Sequence, residues 1–230
     1  MLTISRVGCE LLDDPAAPAD TVAVSLGNIA RSNRWFGGTA ALRYGLGRVL
    51  GGISRGSTVS LLDIGTGLGD LPRAAARWAA RRGVRVEAFG LERNPVAARL
   101  ARSRGFPVVI GCAGTPPLAD KSVDVVTANL VAHHFEPDSV VELFRVCDRL
   151  ARIGVVICDL RRAALGVLAF RVGARLLRFD PVTVADGVTS IHRGFTRAEL
   201  GGLLQRAGVR GRIVRRPGWR FVATWSSGLT

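Results

Sequence analysis

Short apolar runs alternate with longer mixed stretches through the middle of this sequence of 230 residues. Five of these runs predict strands, at 59–64, 84–91, 107–110, 123–130 and 153–159. The stretches between them predict helices, at 71–82, 95–104 and 138–151. Strands separated by such helices are joined by crossovers, so the pattern predicts an α/β fold with a doubly wound, mostly parallel sheet.

Other patterns precede and follow this alternating region. Acidic residues and prolines at 1–20 predict a weakly ordered tail, and residues 21–50 predict two short helices interrupted at Gly37-Gly38. Beyond Asp159 the sequence predicts a helix, an irregular region, a helix capped by Thr196 with Glu199, and two antiparallel strands that complete a seven-stranded sheet. The chain is thus divided into a tail with lid helices at 1–55 and a domain at 56–230, with a substrate-capping insertion at about 160–195.

The composition is that of a globular protein, with 48% hydrophobic and 22% charged residues. No segment holds ~18 apolar residues without charge, and no basic start precedes an apolar core, so neither a membrane span nor a secretory signal is predicted. The four cysteines form no C-x-x-C pair. That usage is typical of reduced thiols, and we expect a cytoplasmic protein.

The formal net charge is +14, and Lys121 is the only lysine, so nearly all of the positive charge is arginine. A basic surface is compatible with nucleic acid, an anionic membrane or an acidic small molecule as partner. Because the arginines are scattered over every segment, a solvated surface is the favoured interpretation.

A glycine-rich loop between a predicted strand and a predicted helix carries the clearest functional signal. It reads Asp-Ile-Gly-Thr-Gly-Leu-Gly-Asp from Asp63, and Glu92 ends the next strand, where a carboxylate can accept both hydroxyls of a ribose. A dinucleotide site would show G-x-G-x-x-G and no flanking acids, and a P-loop would need Gly-Lys-Ser/Thr. The loop therefore favours a cationic nucleoside ligand that carries an amino acid.

Four stretches together resemble the class I S-adenosylmethionine-dependent methyltransferases: Leu62–Gly69, Gly90–Glu92, Pro117–Val126 and His133-His134. The resemblance covers about 61–159, and it implies S-adenosyl-L-methionine as cofactor and S-adenosyl-L-homocysteine as product. It implies that the glycine loop packs on the methionine part and that the acid of the second strand binds ribose. The cofactor residues it implies are Asp63, Gly65, Thr66, Gly67, Glu92, Arg93, Cys112, Ala113 and Asn129. Where the family often has an acid near adenine, this chain has Cys112, so backbone and apolar contacts must hold the adenine there.

Within that family, the sequence looks most like small bacterial enzymes that methylate phenolic or polyketide-type metabolites and quinone precursors. The residues behind this closer resemblance lie at Asn33–Gly38, His133–Phe135 and Asp159–Arg162. It implies a small phenolic acceptor methylated on a hydroxyl in secondary metabolism, with methylation of an aromatic carbon as the alternative. A homodimer is possible.

Transfer to a phenol gains from a base, because the ordinary pKa of a phenol is ~10. His133 and His134 follow the fourth strand, at the edge where such sheets bind ligands, and His192 lies in the irregular region. We favour His134 as the base, since the strand register is expected to bury His133. A structural role stays open for each histidine, and no metal site is predicted.

Six further residues are candidates for the acceptor site: Arg34, Trp35, Phe36, Arg161, Arg162 and Arg193. An arginine could stabilise a phenolate or bind a carboxylate, and the aromatic rings could roof the pocket. The alternatives are salt bridges, solvated surface and packing in the core. The arginines of the helix from Ala163 share one face, which could meet an acidic substrate or a membrane.

Two other classes of function stay open. A nucleic-acid methyltransferase would explain the charge, but the fourth strand ends in Asn129–Ala132 and lacks the Asn/Asp-Pro-Pro-aromatic pattern of methylation on base amino groups. A non-catalytic binding scaffold would have no need of the intact loop and Glu92. Nucleic acid is therefore an improbable partner, and a small-molecule acceptor is expected.

Overall fold

A computed structural model describes residues 2–3, 7–8, 10–14 and 16–227. Seven strands form one sheet: β1 Thr58–Ile64, β2 Arg85–Glu92, β3 Val108–Ile110, β4 Val123–Asn129, β5 Ala151–Leu160, β6 Arg212–Arg216 and β7 Arg220–Ser226. The α-helices are α1 Ala19–Trp35, α2 Gly38–Val49, α3 Asp70–Ala80, α4 Pro95–Ser103, α5 Pro137–Leu150, α6 Ala164–Leu176, α7 Pro181–Arg193 and α8 Arg197–Ala207. Single 3₁₀ turns lie at Leu11–Asp13 and Ala132–His134.

The strand order is β3-β2-β1-β4-β5-β7-β6, and β7 runs antiparallel to both of its neighbours. The other neighbouring strands pair in parallel. This arrangement confirms the predicted doubly wound, mostly parallel seven-stranded sheet. The strand order reverses between β1 and β4, where open sheets of this kind bind ligands beyond the carboxyl ends of their strands.

Alternate residues of β1 serve the two faces of the sheet, as the period of a strand requires. Leu62 and Ile64 belong to a core that also contains residues of α5 and α8. Val59 and Leu61 belong to a second core with residues of α2 and α3. Both faces are therefore covered, which explains why β1 places apolar residues on both of them.

Two regions differ from the sequence prediction. The stretch expected to be irregular contains α7, which starts at an Asp180 cap with Pro181 in its first turn. The prediction of a weakly ordered tail was wrong for its described residues, because Leu2, Glu10 and the 3₁₀ turn pack against the rest of the fold. The capping box of Thr196 and Glu199 at the start of α8 is confirmed.

Within the described ranges, none of the helices is both long enough and apolar enough to span a bilayer.

Candidate active site

A cavity of about 630 Å³ opens beyond the carboxyl ends of β1, β2 and β4. The N-terminal segment, α1, α6 and α7 enclose it from the side away from the sheet. Its size is that of a site for small molecules. The carboxyl end of the sheet therefore forms the base of the cavity, and the N-terminal segment, α1, α6 and α7 form its walls.

The glycine-rich loop forms the floor of the cavity after β1. Gly65, Gly67 and Gly69 have φ values of +66°, +54° and +70°, a backbone region that residues other than glycine rarely adopt. Gly90 on β2 is needed for another reason, because a Cβ there would lie 2.2 Å from Cγ2 of Thr66. The backbone of the loop can therefore lie against both the sheet and a ligand.

Glu92 ends β2 and holds the loop from the side. One carboxylate oxygen accepts a hydrogen bond from the backbone N–H of Gly67 at 2.9 Å, and the other accepts from that of Asn94 at 2.9 Å. The side chain is half-buried and lines the cavity. These bonds fix the carboxylate at the cavity wall, where its remaining lone pairs can accept from a ligand.

Asp63 lies beneath the loop and is buried. It accepts hydrogen bonds from Thr127 Oγ1 at 2.6 Å and from Asn129 Nδ2 at 2.8 Å. Burial raises the pKa of Asp63 to about 7, against the lowering effect of these two hydrogen bonds. A cation in the cavity would favour its ionised form.

Arg93, Cys112 and Ala113 line the cavity beyond Glu92. Cys112 and Ala113 follow β3 and are half-buried, while Arg93 is exposed and lies 3.5 Å from the carbonyl oxygen of Asp13. This end of the cavity is therefore bordered by a thiol and backbone groups, and an acid is absent from the position after β3.

His133 and Asp159 form a buried pair at the ends of β4 and β5. Nδ1 of His133 lies 2.7 Å from one oxygen of Asp159, and the backbone N–H groups of Ala132 and His133 donate to the other. Burial alone would raise the pKa of Asp159, but the charge and hydrogen bond of His133 lower it below its ordinary value. Burial alone favours neutral His133, but Asp159 outweighs it and raises the pKa of the imidazole. The pair fixes the 3₁₀ turn that also carries His134.

His134 is only partly buried and is oriented by the N-terminal segment. Its Nδ1 lies 2.9 Å from Oδ1 of Asp13, and its ring stacks on that of His133 at 4.4 Å between centroids. Burial would raise the pKa of Asp13, but His134 and Arg193 lower it to about 2. An ionised carboxylate can only accept a hydrogen bond, so Nδ1 of His134 is the donor in this pair, while Nε2 lies 3.9 Å from a carboxylate oxygen of Glu10.

Arg193 anchors the segment that carries Asp13. The buried guanidinium donates to Oδ2 of Asp13 at 2.7 Å, to Oε1 of Glu10 at 2.9 Å and to the carbonyl oxygens of Val7 and Gly8. One cation thus fixes two carboxylates and two backbone groups of the same segment. The N-terminal segment is therefore part of the cavity wall.

Glu10, His133 and His134 place one carboxylate oxygen and two imidazole nitrogens within 4.8 Å of one another. Such a trio could hold a metal ion, but Arg193 lies against Glu10 and already compensates its charge.

Comparison with known proteins agrees with this geometry. Residues 62–158 match a family described as a methyltransferase domain. Residues 62–158 are thus similar to a methyltransferase domain, and the chain shares its fold with an S-adenosylmethionine-dependent methyltransferase. Compared with curated proteins, the sequence has no match.

Several solved structures share this fold. A proposed S-adenosylmethionine-dependent methyltransferase from Methanococcus maripaludis is 14% identical, covers 97% of each chain and has a TM-score of 0.62. A proposed O-methyltransferase from Nostoc punctiforme is 14% identical over 94% of this chain and 69% of its own, with a TM-score of 0.60. A methyltransferase from Aquifex aeolicus is 19% identical over 78% and 88%, with a TM-score of 0.54. At these identities the likeness shows the shared fold.

The residues of this methyltransferase domain fit S-adenosylmethionine, which supplies a methyl group on a sulfonium. Oδ1 of Asn129 is buried at the cavity and has no hydrogen-bond partner among the described residues. An ammonium group of the ligand would donate to such an acceptor, and Asp63 beside it would compensate the positive charge. The fixed carboxylate of Glu92 suits the hydroxyls of a ribose.

The part of the cavity that α6 lines is aromatic. Phe36 packs edge-on against Phe170 at 5.9 Å between centroids and against Phe179 at 6.4 Å. Trp219 lines the same region. Trp35 borders the cavity but is 64% exposed, and the guanidinium of Arg34 lies over its ring at 5.6 Å. Of the candidates near Asn33, only the two aromatic residues therefore border the cavity.

Besides Arg34, four sequence-predicted residues do not line the cavity. His192 is exposed on α7, and the guanidinium of Arg162 forms an ion pair with Glu199 at the surface. Arg161 is half-buried and donates its backbone N–H to the carbonyl oxygen of Trp219. Arg193 is buried and bound to the N-terminal segment, so its expected contact with a substrate is not supported.

Sequence reasoning missed Glu10 and Asp13, which lie in the region interpreted as a tail. It also missed the contact between Asn33 and Asp70, where Asn33 Nδ2 donates to Asp70 at 3.1 Å at the edge of the cavity. One signal was present near Asp13, because an apolar Leu11-Leu12 pair directly before two acids is unusual in a solvated tail. No local pattern could have shown that Asp13 reaches His134.

Proposed function

We propose that this methyltransferase transfers a methyl group to the hydroxyl of a phenolic small molecule, with His134 as the general base. The observation that carries the proposal is the position of His134, which lines the cavity and is held at Nδ1 by the ionised Asp13. The aromatic wall of Phe36, Phe170 and Phe179 supports a flat, apolar acceptor.

His134 is better placed for this role than His133. Both line the cavity, but Nε2 of His133 is inaccessible to solvent, whereas the side chain of His134 is 20% exposed. Nε2 of His134 can therefore take the proton of an acceptor hydroxyl, while Asp13 stabilises the imidazolium that results. His133 and Asp159 act as positioning residues, because they fix the turn from which His134 projects.

The remaining residues supply position and a dry site. Gly65, Gly67, Glu92, Asn129 and Asp63 hold the cofactor against the sheet, and Thr66, Arg93, Cys112 and Ala113 border it. The aromatic wall orients the acceptor and excludes water, which favours a displacement that needs close approach. An electron-rich phenol could also accept the methyl group at carbon, so the test must locate the new bond.

The test compares two histidine variants on a panel of phenols with isotopically labelled cofactor. We expect His134→Ala to lower kcat about 10²- to 10⁴-fold, the usual contribution of a general base. The matched control His192→Ala removes an exposed imidazole outside the cavity and should keep the wild-type rate. Calorimetric affinity for S-adenosylhomocysteine should be unchanged in both, which separates catalysis from binding.

The product decides the position of transfer. A methyl carbon bonded to oxygen, identified by its NMR shift, supports the proposal, and a methyl group on a ring carbon contradicts it. A His134→Ala variant as active as His192→Ala would exclude the base role.

A further inference from the structure

The outer face of α6 carries an apolar stripe with no covering element among the described residues. The stripe consists of Leu165, Leu168, Val172 and Leu176, whose exposed fractions are 65%, 59%, 53% and 78%. Spacings of three and four residues place them along one line of the helix. Contiguous exposed apolar residues of this kind mark a surface that is covered by a partner.

Arginines flank this stripe. Arg171 and Arg175 lie on α6, Arg178 follows it, and all three are exposed without an ion-pair partner among the described residues. The segment 161–179 holds five arginines and no aspartate or glutamate. Arg171 and Arg175 also line a shallow groove between α6 and α7, beside Phe179.

We propose that this face of α6 docks on an anionic membrane surface, with the apolar stripe in the interface and the arginines on the lipid headgroups. An amphipathic helix binds a bilayer in this way when leucines and arginines occupy neighbouring faces. The net charge of +14 adds long-range attraction to an anionic surface.

A second copy of the chain fits the face less well. A symmetric dimer places the same patch of each chain against itself. Through α6 it would bring the arginines of 161–179 close to those of the partner copy, with no acid in that segment to offset them. Anionic lipid offers the opposite charge and an apolar phase together.

Docking through α6 would bring the membrane surface close to the cavity. Gly166, Ala169 and Phe170, on another side of the same helix, line the cavity. A bilayer bound at the stripe therefore lies about one helix diameter, ~10 Å, from the acceptor side of the cavity.

Co-sedimentation of the full chain with vesicles tests the proposal without any methyl transfer, so its outcome is independent of the proposed function. We expect binding to vesicles of phosphatidylcholine with phosphatidylglycerol and little binding to phosphatidylcholine alone. Salt should weaken the binding, because the Debye length shrinks from ~10 Å at 0.1 M to ~3 Å at 1 M.

Two double variants separate the apolar and the charged contributions. Leu168→Ser with Leu176→Ser should weaken partitioning at least tenfold. Arg171→Gln with Arg175→Gln should weaken it roughly tenfold to thirtyfold. Arg77→Gln with Arg81→Gln is the matched control, since it removes two exposed arginines four residues apart, one on α3 and one at its C-terminal cap. Its binding should stay within about twofold of wild type.

Equal losses in the two arginine variants would overturn the proposal, because total charge would then explain the binding. Unchanged binding in the leucine variant would overturn it as well. So would a wild-type dimer in sedimentation velocity that becomes a monomer on Leu168→Ser with Leu176→Ser. Circular dichroism and affinity for S-adenosylhomocysteine confirm that each variant is folded.

Discussion

Nδ1 of His134 lies 2.9 Å from Oδ1 of Asp13, although 121 positions separate them in the chain. His134 projects from the turn after β4, and Asp13 comes from a segment that precedes the first helix. The pair therefore forms only when the N-terminal segment is seated on the sheet. Arg193, which binds Asp13 and Glu10, makes that seating part of the site.

The first prediction concerns Asp13→Asn. An amide cannot stabilise the imidazolium as an ionised carboxylate does, so we expect kcat to fall about 10- to 100-fold with little change in the KM for the cofactor. The matched control is Asp14→Asn, which makes the same change of charge at the next, exposed position. Equal rates for the two variants would remove Asp13 from the mechanism.

The second prediction concerns cofactor affinity. Glu92→Ala removes the carboxylate that accepts from Gly67 and Asn94, and a charged hydrogen-bonding group is worth ~1.5–3 kcal/mol. We expect the Kd for S-adenosylhomocysteine to rise about 10- to 100-fold in calorimetry. Glu87→Ala, on the exposed part of the same strand, should leave it unchanged, and a similar shift in both variants would contradict the assignment.

The third prediction is a dependence of stability on pH. The pKa of Asp63 is about 7 in the folded protein and 3.8 ordinarily, so the unfolded chain releases this proton first as the pH rises. Because Asp63 ionises in the unfolded chain while it stays protonated in the folded one, the stability of the ligand-free protein falls progressively between about pH 4 and pH 7.

Asp63→Asn removes that titration and keeps a hydrogen-bond acceptor for Thr127. Its free energy of unfolding should exceed that of the wild type by a few kcal/mol at pH 7, on the order of 1.4 kcal/mol per unit of pKa, and by much less near pH 4. Urea midpoints measured across this range check the prediction. Curves that stay parallel from pH 4 to pH 7 would show that Asp63 is ionised throughout.

The fourth prediction concerns the aromatic wall. A Cβ at Gly187 would lie 2.2 Å from Cζ of Phe170, so Gly187→Ala must displace a ring that lines the cavity. We expect a loss of ~1–3 kcal/mol in stability and a larger change in the KM for the acceptor than in the Kd for the cofactor. In the control Gly202→Ala, nothing lies within 4 Å of the new Cβ on α8, and a gain of ~1 kcal/mol is expected.

The sequence was sufficient where the signal is local. The glycine loop and Glu92 are recognisable because a turn with positive φ values and a strand-end acid must lie at fixed spacings. The periodic patterns likewise predicted the seven strands and most of the helices in their order along the chain. These features require no knowledge of distant contacts.

Other features depend on contacts between residues that are far apart in the sequence. The helix α7 was missed because Gly187 and its β-branched neighbours weaken the helical signal, although Asp180 and Pro181 mark its start. The need for a glycine at position 187 follows from the ring of Phe170, which packs against it from α6. The seating of Glu10 and Asp13 depends on Arg193, some 180 residues away.

The rate ratio between wild type and His134→Ala on two phenols of different acidity tests the central claim most directly. A phenol of pKa ~10 needs its proton removed at pH 8, whereas a phenol already ionised at that pH does not. The account predicts a ratio of about 10² or more for the first and near 1 for the second, with the methyl group on oxygen in both products. Equal ratios for the two phenols would contradict the role of His134 as base.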